Sequence, residues 1–175
     1  VEITFYATDG RVAGVAGGRV RGFQKQSWNP GSAGIGPGFL GSAVARGSGP
    51  IATIVNIQSA TDLSLAYTGQ IEGTTKQVLP YIRWAPSNDA RGWRTFVAVM
   101  NVDQGAPADL TIRYYDQNGT LVQAPSFRAV PPNAKVNHNP GMFLGDGPFV
   151  GSVEIEANRT VLGLVNAITV DQTQA

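Results

Sequence analysis

An internal repeat constrains the fold of this chain more than any other feature of its sequence. Val1–Gly10 aligns with Leu110–Gly119, so that apolar residues at alternate positions and the Asp-Gly or Asn-Gly pair after them coincide. Three later pairs of segments keep the same offset of 109–110 residues: 29–31 with 139–141, 36–42 with 145–152, and 54–56 with 164–166. Ordered matches at one offset indicate that a structural unit is duplicated.

Both copies have the pattern of β-strands. Leu110, Ile112 and Tyr114 alternate with more polar residues, which is the period of a half-buried strand. The Asp9-Gly10 and Asn118-Gly119 pairs predict two-residue hairpin turns, in which both central residues need φ > 0. No long segment has a helical period. Further strands are predicted over 19–25, 42–45, 51–57, 95–102, 120–123, 134–138, 151–156 and 161–168.

The length of each copy predicts the domain organisation. The expected fold is all-β, with two antiparallel immunoglobulin-like β-sandwich units in tandem, at 1–78 and 79–175. The second copy has Val78–Asp109 before its Leu110 strand, and the first copy has no counterpart of that segment. The first unit is therefore expected to lack its opening strands. Either the chain is a fragment of a longer repeat protein, or another chain supplies the strands by complementation.

The composition excludes most enzymatic chemistry. The chain has no cysteine and a single histidine, His138, so thiolate sites and histidine clusters are absent from its sequence. His138 has no nucleophile elbow to act with, and Glu154 and Glu156 share one face of a predicted strand. The GxGxxG pattern of Gly36–Gly41 precedes a strand, which favours a turn over a nucleotide loop. We therefore expect no enzyme, no catalytic residue, no metal and no cofactor.

Charge is nearly balanced overall but unevenly distributed. The net charge of +1 gives no electrostatic basis for nucleic-acid binding, and the apolar segments are too short for membrane insertion. Residues 10–61 contain no acidic residue and carry +5, which leaves −4 for the rest of the chain. Opposed charges of this kind favour head-to-tail stacking of neighbouring units.

Several motifs resemble known repeats. They are Leu79-Pro80, Gly92-Trp93-x-Thr95, a Tyr-Tyr hairpin with Asn-Gly, Val130-Pro131-Pro132-Asn133 and Val165-Asn166. This order resembles tandem immunoglobulin-like or fibronectin-like modules of bacterial cell-surface and secreted fibre proteins. The resemblance implies a structural protein outside the cell or on its surface, and it brings no catalytic residue.

The expected function is that of a non-catalytic structural subunit of an extracellular filament, stalk or surface layer. Its partners would be copies of itself, bound by strand complementation and head-to-tail packing. The residues expected at the assembly interface are Val1, Ile3, Phe5, Phe96, Ala98 and Met100. The alternative is a carbohydrate-binding or adhesive module of a larger secreted protein, in which Trp28 or Trp93 stacks on a cell-surface polysaccharide.

Overall fold

A computed structural model describes residues 1–58 and 64–170 of the chain. It confirms an all-β fold made of antiparallel strands, with one short helix, α1 (Gly141–Leu144), and one 3₁₀ turn (Pro30–Ala33). The strands are β1 (Glu2–Ala7), β2 (Val12–Gly17), β3 (Gly41–Arg46), β4 (Ile54–Gln58), β5 (Ser64–Thr68), β6 (Thr74–Trp84), β7 (Trp93–Asn101), β8 (Ala108–Asp116), β9 (Leu121–Gln123), β10 (Ser126–Val130), β11 (Lys135–His138) and β12 (Phe149–Thr169).

The second half of the chain forms a seven-stranded sheet in the order β10-β8-β12-β6-β7-β11, with β9 beside β8. The long strand β12 changes partners along its length: residues 149–156 pair with β6, residues 151–157 pair with β8, and residues 161–169 pair with β7. Apolar side chains at alternate positions of these strands form one core. Its fully buried members include Ile82, Val97, Ile112, Tyr114 and Ile155.

The first half forms two smaller sheets. One has three strands in the order β2-β1-β3, and the other is the β4-β5 hairpin. Phe5 and Tyr6 are each 7% exposed, but several apolar side chains of this half are open to solvent. Among them are Leu40 at 64% and Ile54 at 71% exposure.

Four details of the sequence prediction are corrected. Residues 19–25 contain a turn and no strand, because Gly22 and Phe23 reverse the chain there. The segments 151–156 and 161–168 belong to one strand, β12. The boundary at residues 78 and 79 falls inside β6, whose residues Lys76 and Gln77 already pair with β12. The seven-stranded sheet therefore starts at Thr74.

The fourth correction concerns the hairpin turns. Ala7 N donates to Arg11 O at 2.9 Å, and Asp116 N donates to Thr120 O at the same distance, so each loop has three residues. Only the glycine of each loop lies in the left-handed region, at φ 86° for Gly10 and 79° for Gly119. A three-residue loop of this kind places its one left-handed residue at the end of the turn, which explains why Asp9 and Asn118 need no positive φ.

The two copies share strand register as well as sequence. Ala7 faces Gly41 in the β1-β3 pair, as Asp116 faces Gly151 in the β8-β12 pair. The ring of Phe5 meets Phe39 edge-on with centroids 6.1 Å apart, and Tyr114 meets Phe149 in the same manner at 6.1 Å. Positions equivalent by sequence therefore have equivalent strand partners and ring contacts.

Candidate assembly surfaces

Strand β3 has an unpaired edge. It pairs with β1 along Gly41–Arg46, and no strand within the described residues pairs with it on the other side. Its counterpart, residues 151–156 of β12, pairs with β8 on the equivalent side and with β6 on the other. The free edge of β3 is thus the edge that β6 covers in the second copy.

The face beside this edge is less covered than its counterpart. Ile112, Val153 and Ile155 are all fully buried in the second copy. At the equivalent positions of the first copy, Ile3 and Ala45 are only half-buried and Ala43 is exposed. Partly covered apolar positions next to an unpaired edge are the features that a partner strand can bury.

A second surface joins the two halves of the chain. Lys135 N donates to Thr8 O at 3.0 Å, and Lys135 Nζ donates to Gly41 O at 2.7 Å. Ser42 Oγ donates to Asn133 O at 3.3 Å. Burial in this contact lowers the pKa of Lys135. The turn over residues 131–135 therefore rests on the hairpin turn and the start of β3.

The sequence prediction anticipated an unpaired edge in the first unit, because that unit has no counterpart of Val78–Asp109, but it named the residues of neither surface. A signal for the second was present in Gly10, where a Cβ would come within 2.5 Å of Pro132 O. No local pattern marks the free edge of β3, because edge and centre strands have the same alternation of apolar residues.

The predicted interface residues lie on strands whose edges are already occupied. Ile3 and Phe5 lie within β1, and Val1 directly precedes it. Strand β1 lies between β2 and β3. Strand β7 carries the half-buried Phe96, Ala98 and Met100 and lies between β12 and β11. Neither strand has an edge left for a partner, whereas β3 and β2 form the two outer edges of the three-stranded sheet.

The two tryptophans proposed for glycan stacking lie in different parts of the fold. Trp28 is half-buried just before the 3₁₀ turn, and Trp93 begins β7 with 45% of its surface exposed. Within the described part of the chain, no ring contact joins them. The two rings are therefore separate, so stacking on a glycan would use one ring or the other.

His138 belongs to an aromatic cluster. Its Nδ1 lies 2.9 Å from the hydroxyl of Tyr114, and its ring stacks on Phe143 with centroids 6.2 Å apart. Burial lowers the pKa of His138 and raises the pKa of Tyr114. This environment favours the neutral imidazole and gives it a packing role.

Glu154 and Glu156 take part in ion pairs on the strand face. Arg113 binds Glu154 at 3.2 Å and also binds Glu156, while Lys76 Nζ lies 2.9 Å from Glu154. Hydrogen bonds from Lys76 and Arg113 hold the pKa of Glu154 below its usual value. A carboxylate held in its charged form by two cations is unsuited to act as a general acid.

The described residues hold neither a metal-binding cluster nor a membrane-spanning helix. In the described ranges, no group of three or more His, Cys, Asp and Glu side chains is placed to hold a metal ion. The same ranges include no helix with the length and apolar character needed to cross a membrane.

Comparison with known proteins does not assign the chain to a family. No protein-family model matches it, and no curated protein matches it. Among solved structures, the Anabaena sensory rhodopsin transducer is similar with a TM-score of 0.45 and 14% sequence identity. That match covers 61% of this chain and 100% of the other. Similarity at this level does not establish a shared function.

Proposed function

We propose that the chain is a non-catalytic structural subunit of an extracellular filament, stalk or surface layer. Its two copies act as tandem immunoglobulin-like sandwich units, and a strand from a neighbouring subunit completes the first. One observation carries this proposal: β3 has a free edge where the equivalent part of β12 is paired with β6. The extracellular location rests on the resemblance of the repeat motifs.

The energetic argument follows from burial. A strand added beside β3 would satisfy its outward backbone groups and cover Ile3, Ala43 and Ala45, as β6 helps to cover their counterparts. Main-chain hydrogen bonds would supply much of the affinity, and alternate side chains would supply the specificity. Such an interaction needs no catalytic group and no cofactor.

The test is the assembly state of the whole chain, measured by sedimentation velocity and negative-stain electron microscopy. We expect regular filaments from the unmodified chain. Ala43→Lys should block assembly, because a charged side chain that points toward the inner face of an edge strand prevents that strand from pairing with another chain. Ala13→Lys is the matched control, since Ala13 is also exposed but lies on β2, at the opposite edge of the same sheet.

Circular dichroism and urea unfolding of both variants establish that they are folded. Monomeric unmodified chain at every concentration would contradict the proposal. Equal loss of assembly in the Ala43→Lys and Ala13→Lys variants would show that β3 is not the edge involved.

A further inference from the structure

The turn at Arg21–Lys25 is the structural counterpart of the turn at Pro131–Lys135. Each contains a non-glycine residue in the left-handed region, Phe23 at φ 63° and Asn133 at φ 62°. Each is closed by the same bond, from Gln24 N to Arg21 O and from Ala134 N to Pro131 O, both at 3.1 Å. Their separation of 110 residues is that of the repeat. We call residues 21–25 the first turn and residues 131–135 the second turn.

The second turn is docked within the chain. It rests on a receiving surface made by Thr8–Gly10, Gly41 and Ser42, through the three hydrogen bonds of Lys135 and Ser42 described above. The approach is close, since a Cβ on Gly10 would lie 2.5 Å from Pro132 O and 2.9 Å from Ala134 N. Glycine at this position is therefore a requirement of the contact.

In the described residues, the first turn and the Gln117–Gly119 loop have no such partner, although Gly151 is paired with Ile82 of β6. The first turn projects into solvent, with both Phe23 and Lys25 exposed. The counterpart of the receiving surface is formed by Gln117–Gly119, Gly151 and Ser152, and a Cβ on Gly119 would meet no atom within 4 Å. We call it the second receiving surface. It borders a cavity of about 330 Å³ whose lining includes Gln117, Gly151 and Ser152.

The sequence differences between the two turns match the differences between the two receiving surfaces. Phe23 replaces Asn133, and the second receiving surface gains Tyr81, which is 57% exposed and lines the same cavity. The first copy has no counterpart of β6 to supply such a wall.

A charge difference is matched in the same way. Arg21 replaces Pro131 on the turn, while Asp116, which lines the cavity beside the second receiving surface, replaces Ala7. Phe23 is also an exposed phenylalanine in the strained left-handed region, and such strain is typically kept at functional sites. In such a contact the Phe23 ring would lie against the Tyr81 ring, and the Arg21 guanidinium would lie near the Asp116 carboxylate.

We infer that the first turn of one chain docks on the second receiving surface of another copy of this chain. By equivalence with the observed contact, Lys25 N would donate to Gln117 O and Ser152 Oγ to Phe23 O, while Gly151 is paired with Ile82 of β6 and takes no part in these bonds. The two surfaces differ, so the contact is heterologous and produces an open chain or a ring. This inference deepens the proposed function and rests on it in one respect, that the chain assembles with copies of itself.

The experiment uses two full-length variants, each of which removes one half of the contact. Phe23→Asn gives the first turn the asparagine that the second turn has at Asn133, and asparagine tolerates the left-handed region. Gly119→Asn places a side chain where the docked turn would lie. Sedimentation equilibrium should show that each variant weakens self-association by at least about tenfold. Gly34→Asn is the matched control, because Gly34 also has a positive φ and open space around it.

Mixing the two variants gives the most specific outcome. The Phe23→Asn chain keeps an intact second receiving surface, and the Gly119→Asn chain keeps an intact first turn. When both chains also carry Ala43→Lys, which removes the β3 contact, we expect one-to-one dimers that grow no further. If the unmodified chain assembles and neither variant is weakened, or if the mixture forms no dimer, the inference is wrong while the proposed function stands. If the unmodified chain does not assemble, both are wrong.

Discussion

Gly41 and Gly151 occupy equivalent positions at the starts of paired strands, and neither position has room for a side chain. A Cβ on Gly41 would lie 2.1 Å from Tyr6 O, and a Cβ on Gly151 would lie 2.0 Å from Tyr115 O. The ring of Phe39 crowds the first position, and the ring of Phe149 crowds the second. The same close approach of backbone and ring is therefore built twice in this chain.

Gly151→Ala should destabilise the fold by about 1–3 kcal/mol, because backbone and ring must move to admit the methyl group. Urea unfolding followed by circular dichroism measures the change. Gly36→Ala serves as the control, since Gly36 has no atom within 4 Å of a Cβ and no positive φ. Equal stability of the two variants would show that the close approach is relieved at no cost.

Stability should depend on pH through His138. Burial lowers the pKa of His138 in the folded state, so the unfolded chain binds this proton more readily. The contribution is fully present above the ordinary histidine pKa of about 6.5 and is lost as the pH falls below it. The free energy of unfolding should therefore be lower at about pH 5.5 than at about pH 7.5.

His138→Gln is the variant that checks this assignment, because glutamine can still accept a hydrogen bond from Tyr114. The chain has no other histidine, so the pH dependence in this window should become nearly flat. If the free energy of unfolding depends on pH equally in the variant and the unmodified chain, groups other than His138 cause the dependence.

Arg94 should be intolerant of lysine. Its guanidinium lies 4.6 Å from the centroid of the Trp84 ring, and it donates to Ala85 O and to Asp146, both within 2.9 Å. Lysine cannot reproduce this planar set of donors, so Arg94→Lys should cost about 1–3 kcal/mol in unfolding free energy. The exposed Arg91 provides the control substitution, Arg91→Lys, for which no measurable change is expected.

Self-association should weaken as salt rises. The proposed contact brings Arg21 of one chain to Asp116 of the next, and charges at the rim of an interface are screened by salt. Arg21→Gln should reduce this salt dependence, as measured by sedimentation equilibrium across a salt series. Arg159→Gln, at an exposed position outside the contact, should leave it unchanged. Association that is indifferent to salt in the unmodified chain would exclude an electrostatic contribution.

Much of the fold was predictable because strand alternation and turn residues are local signals. The alternation of Leu110, Ile112 and Tyr114 correctly marked a strand with one fully buried face. The strand predicted over residues 19–25 was wrong, because the backbone turns there. Alternation shows which side chains share a face, and it does not show whether a neighbouring strand is present to pair with them.

The candidate surfaces were predictable only in part, for the same physical reason. The sequence named β1 and β7 as edges for a partner, but both lie between other strands. Strand order depends on contacts between segments far apart in the chain, such as those of β3 with β1 and of β12 with β6. Those contacts leave no trace in the period of a single strand.

The sequence by itself determined the repeat, the all-β class and the absence of cysteine chemistry, because these follow from residue types and their spacing. Only the tertiary structure decided that β3 has the free edge and that Lys135 joins the two halves of the chain. It also placed Phe23 on the exposed counterpart of a turn that is docked elsewhere. These features depend on which distant segments meet, and burial and backbone hydrogen bonding choose among such pairings only when the whole chain is folded.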